Sequence, residues 1–169
     1  YFTWLADDDA YYPNFLESIR QTLITNQKLD CVFSNYKFTE FFNTNDVSQS
    51  YNVSLMTGSE LLLKYYKNEI LLHGCYGVFE IEYLKEIGGM QQTGSGLSPY
   101  SSDIILLNRA LKDQIGYLHN PPVFYRNHES SLSLATTDIV SYVTAQIDLL
   151  DFVKEVFSNK IFLKKKNLL

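Results

Sequence analysis

Three aspartates stand side by side at Asp7, Asp8 and Asp9, directly after the apolar run Tyr1-Phe2-Thr3-Trp4-Leu5-Ala6. Adjacent carboxylates repel one another, so the cluster needs a cation or bulk solvent as compensation. Oxygen donors of this kind suit a hard divalent ion, Mg²⁺ or Mn²⁺. In an extended segment Asp7 and Asp9 point to one side and Asp8 to the other, so Asp7 and Asp9 are the expected pair of metal ligands. A solvated acidic turn that favours the start of the next helix fits the same residues equally well. Two further places carry chemistry. Asp103 follows Ser101-Ser102 at a helix start behind a Gly- and Ser-rich loop. The positive helix end keeps such a carboxylate ionised, which suits a general base toward a hydroxyl, or merely stabilises the helix. Arg126 and His128 lie in the polar stretch Tyr125-Arg126-Asn127-His128-Glu129. There Arg can hold phosphate oxygens and His can hold phosphate or metal, unless both are ordinary surface residues of a turn.

The elements that must position these groups alternate between strand and helix, which implies an α/β layer. Residues 1–6 read as a buried strand that delivers the aspartates at its end. Pro13 suits a first helical turn, and Phe15, Ile19 and Leu23 recur at helical spacing, so a helix is expected over 13–26. Residues 30–38 read as a strand, and 39–56 as a polar surface excursion or an irregular hairpin. Thr57 and Glu60 stand at capping-box spacing before a helix that runs to about Tyr66. A strand over 77–81, a short helix over 82–87 stopped by Gly88-Gly89 and a helix over 103–113 follow. Two short strands, 116–119 and 123–126, are expected on either side of Pro121-Pro122. A last helix over 138–158 carries the stripe Val140, Val143, Ile147, Leu150, Val153 and Phe157. Parallel pairing is expected near the start of the chain, with antiparallel pairing after Gly77.

Composition narrows the function classes. The chain has 169 residues and reads as one domain, with hydrophobic residues at 46% and charged residues at 20%, the balance of a globular fold. A net charge of −5 lacks the basic footprint of a nucleic-acid binder. The one cationic run, Lys164-Lys165-Lys166, reads as a solvated tail, with attraction to anionic lipid as the minority reading. Cys31 and Cys75 have no C-x-x-C partner and read as small buried hydrophobes. Acidic residues break the C-terminal apolar stretch, so no transmembrane helix is expected.

Taken in order, these segments resemble family 2 glycosyltransferases. Trp4-Leu5-Ala6-Asp7-Asp8-Asp9 followed by Pro13-Asn14-Phe15-Leu16 is similar to that family's strand, D-x-D motif and following helix. Gly77-Val78-Phe79 with Leu84-Lys85-Glu86-Ile87-Gly88-Gly89 resembles its acceptor-side strand and turn. Ser102-Asp103 takes the place of its E-D motif, with Ser where many members carry Glu. Residues 125–133 resemble its closing Y-R-x-H-x-x-S-x-S segment.

The resemblance covers residues 1–133 and implies a partial GT-A fold, a mixed sheet flanked by helices, with the nucleotide-binding N-terminal half missing. Residues 134–169 would add a C-terminal helix and basic tail. It implies a metal-dependent inverting transfer of sugar from a nucleotide-sugar donor to a glycan acceptor hydroxyl. Asp7, Asp9 and His128 would hold Mn²⁺ or Mg²⁺, Arg126 would approach the diphosphate, and Asp103 would be the catalytic base. The chain is accordingly expected to be a segment of a longer protein, incomplete as an enzyme, cytoplasmic or peripheral at the inner membrane face. It is also expected to be open to homodimerisation through a bare sheet edge. A non-catalytic glycan- or protein-binding module is the alternative, and a phosphohydrolase using the aspartates ranks last.

Overall fold

A computed structural model describes residues 1–43, 52–73, 76–86 and 114–129, together with scattered positions between 139 and 158. The expected helix over 103–113, the Gly88-Gly89 stop, Cys75, residues 130–133 and the lysine tail lie outside the described residues, and so does Asp103.

The architecture is α/β, a mixed five-stranded sheet with a few helices. The elements in chain order are β1 (Ala10–Tyr11), α1 (Phe15–Thr25), β2 (Cys31–Thr39), β3 (Val53–Met56), α2 (Gly58–Tyr66), β4 (Gly77–Phe79), α3 (Ile81–Glu86) and β5 (Ile115–Arg126). The centre is the parallel pair β2 and β5, both rich in the aromatic and β-branched residues that suit a pleated surface. β4 pairs antiparallel with the other edge of β2. The free edge of β5 is shared: β3 lies antiparallel along its first half and β1 along its last.

Two packed layers follow from strand alternation. On one face Cys31, Phe33, Ile115 and Tyr117 meet Leu61 and Leu62 of α2 and Leu72. On the other, Val32, Leu118 and Val123 meet Phe15 and Ile19 of α1. Gly77 keeps the first layer tight, because a Cβ there would stand 2.7 Å from Phe79 Cζ and 3.0 Å from Phe33 Cδ1. The capping box is present: the Thr57 hydroxyl accepts from the Glu60 amide at 3.2 Å, and the Glu60 carboxylate accepts from the Thr57 amide at 2.8 Å. The Thr57 amide first, and then the Thr57 hydroxyl, which donates to the same carboxylate at 3.0 Å, hold the Glu60 carboxyl below its ordinary range.

Four expectations need correction. Residues 1–6 do not form a buried strand. Phe2 makes a single antiparallel bridge to Phe79 on the outer edge of β4, and Tyr1 and Phe2 are exposed. Six residues are too few to pair there and also to reach β1 on the opposite edge, so the segment crosses the sheet instead. Its crossing is pinned by Tyr11, whose hydroxyl donates to the Trp4 carbonyl at 2.8 Å. The excursion over 39–56 ends in a strand, β3, hidden from periodicity because Leu55 is exposed while Ser54 is half-buried.

The third correction concerns the two strands expected around Pro121-Pro122, which are one continuous strand with a register break. Ser34 pairs with Leu118 and Tyr36 with Val123, so four residues of β5 face Asn35 alone. Proline brings no ladder donor. Asn35 mends the break, its amide donating to the His119 carbonyl at 2.9 Å and its side-chain oxygen accepting from the Tyr36 amide at 2.8 Å. The start of the chain also departs from expectation: β1 is antiparallel, and among the described residues the parallel pairing is between β2 and β5.

The described residues between 139 and 158 are helical, as the sequence led us to expect. Val140, Val143, Ile147 and Leu150 of the apolar stripe are exposed, while Ala145 is fully buried. Among the described residues no helix is long and apolar enough to cross a membrane.

Candidate functional site

β2 and β5 are parallel and stop together, Thr39 opposite Arg126. Ligands of open α/β sheets gather at the carboxyl ends of such strands. The acidic turn is delivered to this end by register. Ala10 pairs with Phe124 and Tyr11 with Val123, which sets Asp9 and Asp8 beside the last residues of β5. Stacking of Tyr11 on Phe15, with centroids 3.9 Å apart and planes within 2°, locks that register to α1.

The three carboxylates do not alternate as an extended segment would place them. Asp7 and Asp8 occupy a turn that the Asp9 amide closes onto the Ala6 carbonyl at 3.3 Å. Asp7 is exposed. Asp8 Oδ2 lies 2.6 Å from His128 Nε2, and because an ionised carboxylate only accepts, the imidazole nitrogen carries the proton. Both side chains are about one-third exposed, at 32% and 31%, so the pair is reachable from solvent. Asp9 turns inward. Its Oδ1 accepts from the Arg126 backbone amide at 3.0 Å and its Oδ2 from the Tyr76 hydroxyl. Burial pushes the Asp9 carboxyl above its ordinary range. The Tyr76 and Arg126 hydrogen bonds oppose this, the Asp8 charge adds to it, and the Arg126 charge again opposes it.

Tyr76 is itself held firmly. Its carbonyl accepts from both the amide and the hydroxyl of buried Ser34, at 2.9 Å and 3.1 Å. Its ring meets Tyr36 and Tyr125 edge-on, at 5.4 Å and 6.0 Å between centroids. His73 stacks obliquely against it at 4.9 Å, and burial brings the His73 imidazole down to about 4. The Arg126 guanidinium leans toward the Phe124 ring, 6.0 Å from its centroid, so it is the backbone of Arg126 that grips the acidic turn.

The fold thus brings together Asp8, Asp9, Arg126 and His128. Two of the groups that shape the site, Tyr76 and His73, carry no linear signal: Tyr76 is 67 positions from the aspartate it holds. Among the described residues no three His, Cys, Asp or Glu side chains are grouped to enclose a metal ion. What the geometry offers is an open pair, Asp8 and His128. A Mg²⁺ or Mn²⁺ ion there would have to displace the proton that His128 Nε2 shares with Asp8, after which the two side chains would serve as its protein ligands beside waters and substrate phosphates. Asp9, with an amide and a phenol already on its two oxygens, serves as the anchor of the turn.

No protein-family model matches this chain, and no curated protein matches it.

Proposed function

We propose that the chain is the metal- and acceptor-binding part of a GT-A-type glycosyltransferase, one that moves a sugar from a nucleotide-sugar donor to a glycan hydroxyl with inversion. One observation carries this reading. Asp8 and His128, 120 positions apart, meet at the carboxyl end of the parallel strand pair, where the resemblance to family 2 glycosyltransferases calls for a metal and diphosphate site.

The roles follow from chemistry. Asp8 and His128 would hold Mn²⁺ or Mg²⁺, and a bound ion would draw charge from the leaving diphosphate. Asp9 fixes the acidic turn through the Arg126 amide and Tyr76. Asp7, exposed beside them, is free to meet solvent-borne ligands from the turn's outer side. Asp103 takes the proton of the acceptor hydroxyl as its oxygen bonds to the anomeric carbon and the bond to the diphosphate breaks.

Mn²⁺ binding followed by electron paramagnetic resonance, with and without uridine diphosphate, tests the reading. Asp8→Asn and His128→Ala should each weaken Mn²⁺–diphosphate binding by about tenfold or more, as loss of a ligand or its orienting partner does. Unchanged binding in both variants would remove the metal site, and the transferase reading with it.

A further inference from the structure

The aromatic residues behind the acidic turn form a continuous path to the surface. His73 and Tyr76 stand at its inner end. Tyr36 lies 5.4 Å from Tyr76 and 5.5 Å from Tyr125 between centroids. Tyr125 lies 5.1 Å from Phe38, the two rings stacked within 30°. The outermost ring, Phe38, is 53% exposed although it belongs to a central strand. Register fixes where this ring pair sits. Phe38 is the cross-strand partner of Tyr125, one residue before the Thr39–Arg126 pair whose Arg126 amide holds Asp9. One strand residue is about 3.3 Å, so the ring pair adjoins the acidic turn. Tyr125 also shares Tyr76 as a neighbour with the Asp9 carboxylate, which puts ring pair and carboxylate on one side of the sheet.

We propose that the Phe38–Tyr125 pair is the platform on which a hexose ring of the acceptor lies, its C–H face on the rings and its hydroxyls toward the acidic turn. This rests on the transferase reading above. Three features select a neutral sugar. A hexose has one face of axial C–H groups, which packs on an aromatic surface as an apolar patch does. Its hydroxyls are donors, and the neighbouring carboxylates are acceptors. The rings are held by partners on the inner side, so they order little on binding. An anionic ligand would instead meet like charge at the acidic turn.

Saturation-transfer-difference NMR on the full chain tests this, with methyl β-D-glucopyranoside, methyl β-D-galactopyranoside and methyl 2-acetamido-2-deoxy-β-D-glucopyranoside as probes and uridine as the counter-probe. At least one glycoside should receive saturation on its ring C–H protons. Phe38→Ala should weaken its binding about threefold to tenfold, the worth of one aromatic contact, whereas Phe38→Trp should retain it. Tyr125→Leu supplies a second arm should Phe38→Ala lower the melting temperature. No transfer to any glycoside, or binding indifferent to both the Phe38→Ala and Tyr125→Leu changes, would overturn the platform. So would uridine, and no glycoside, losing its signal in these variants, since the ring pair would then seat a nucleobase. Mn²⁺–uridine diphosphate binding by the same variants separates the two readings. Phe38→Ala should leave it intact, and Asp8→Asn should weaken it about tenfold or more. A platform without a metal site would sink the transferase reading alone, and a metal site without a platform would sink only this inference.

Discussion

The two halves of β5 are the same strand put to different uses. Its first half, from Ile115 to Leu118, has a neighbour on each edge, β2 and β3, and its side chains are buried on both faces. Its second half keeps β2 on one edge and, among the described residues, pairs on the other with the two residues of β1. Past Val123 and Phe124 it gives way to half-buried Tyr125 and exposed Arg126. Pro121-Pro122 and the Asn35 amide mark the division. A strand flanked along its whole length makes a core. A strand whose flank is a short turn leaves backbone amides and ring faces for something else, and here the Arg126 amide goes to Asp9.

The largest effect that separates the halves belongs to the core half. Phe33 is fully buried, pairs with Tyr117 across the β2–β5 ladder and meets the Phe79 ring edge-on at 5.5 Å. Phe33→Ala should cost about 3–5 kcal/mol in urea unfolding, the range for truncating a buried aromatic. A cost under about 1 kcal/mol would mean that this layer is not the packed core we describe.

His73 lies where the two regions meet, and it sharpens the comparison through pH. Its imidazole is brought down to about 4 by burial, from an ordinary 6.5. The unfolded chain therefore binds a proton that the folded chain does not. The stability linked to His73 is present above about pH 6.5 and is lost as pH falls toward 4, by up to about 1.4 kcal/mol per pH unit. His73→Phe should flatten that acid limb in denaturation series between pH 7 and 4. An unchanged limb would assign the acid sensitivity to other groups.

Much of this division is legible in the sequence, for reasons that can be stated. β2, α1 and α2 follow from local rules: ring-rich alternation, helical spacing and the Thr57–Glu60 box each need only a few neighbouring residues. The meeting of the acidic turn with Arg126 and His128 follows from the order of motifs. What stays hidden depends on distant partners. β3 is a strand only because β5 offers it an edge. Asp8, rather than its neighbours, faces His128 because residues 6–9 close into a turn, whereas the alternation rule presumes extended backbone. Tyr76 reaches Asp9 through Ser34, a contact that no spacing in the chain announces.

The site half should show the opposite balance to Phe33. Asp8 is about one-third exposed and its hydrogen bond among the described residues is to His128, so Asp8→Asn should shift stability by no more than about 0.5 kcal/mol, the surface range, while it weakens Mn²⁺–diphosphate binding about tenfold or more. A loss of stability as large as that of Phe33→Ala would erase the distinction and make the Asp8–His128 pair a structural tie.

The smallest effect, and the most discriminating, concerns Asp9. Its carboxyl is raised above the ordinary range chiefly by burial, so the folded protein tolerates the ionised form less well than the unfolded chain does. The sign follows from linkage. Stability tied to Asp9 is full below its unfolded pKa and is lost as pH rises through the raised folded value. Asp9→Asn keeps an oxygen for the Arg126 amide, and its amide group can donate to the Tyr76 hydroxyl, so the hydrogen bonds survive without the charge. The variant should therefore gain on the wild type between pH 4 and pH 7, as read from urea midpoints at the two values. His73 contributes equally to both proteins and cancels in the difference. A gain of this sign marks a carboxylate whose charged form burial disfavours. A variant that loses ground as pH rises would instead make the Asp9 charge part of what holds the turn together.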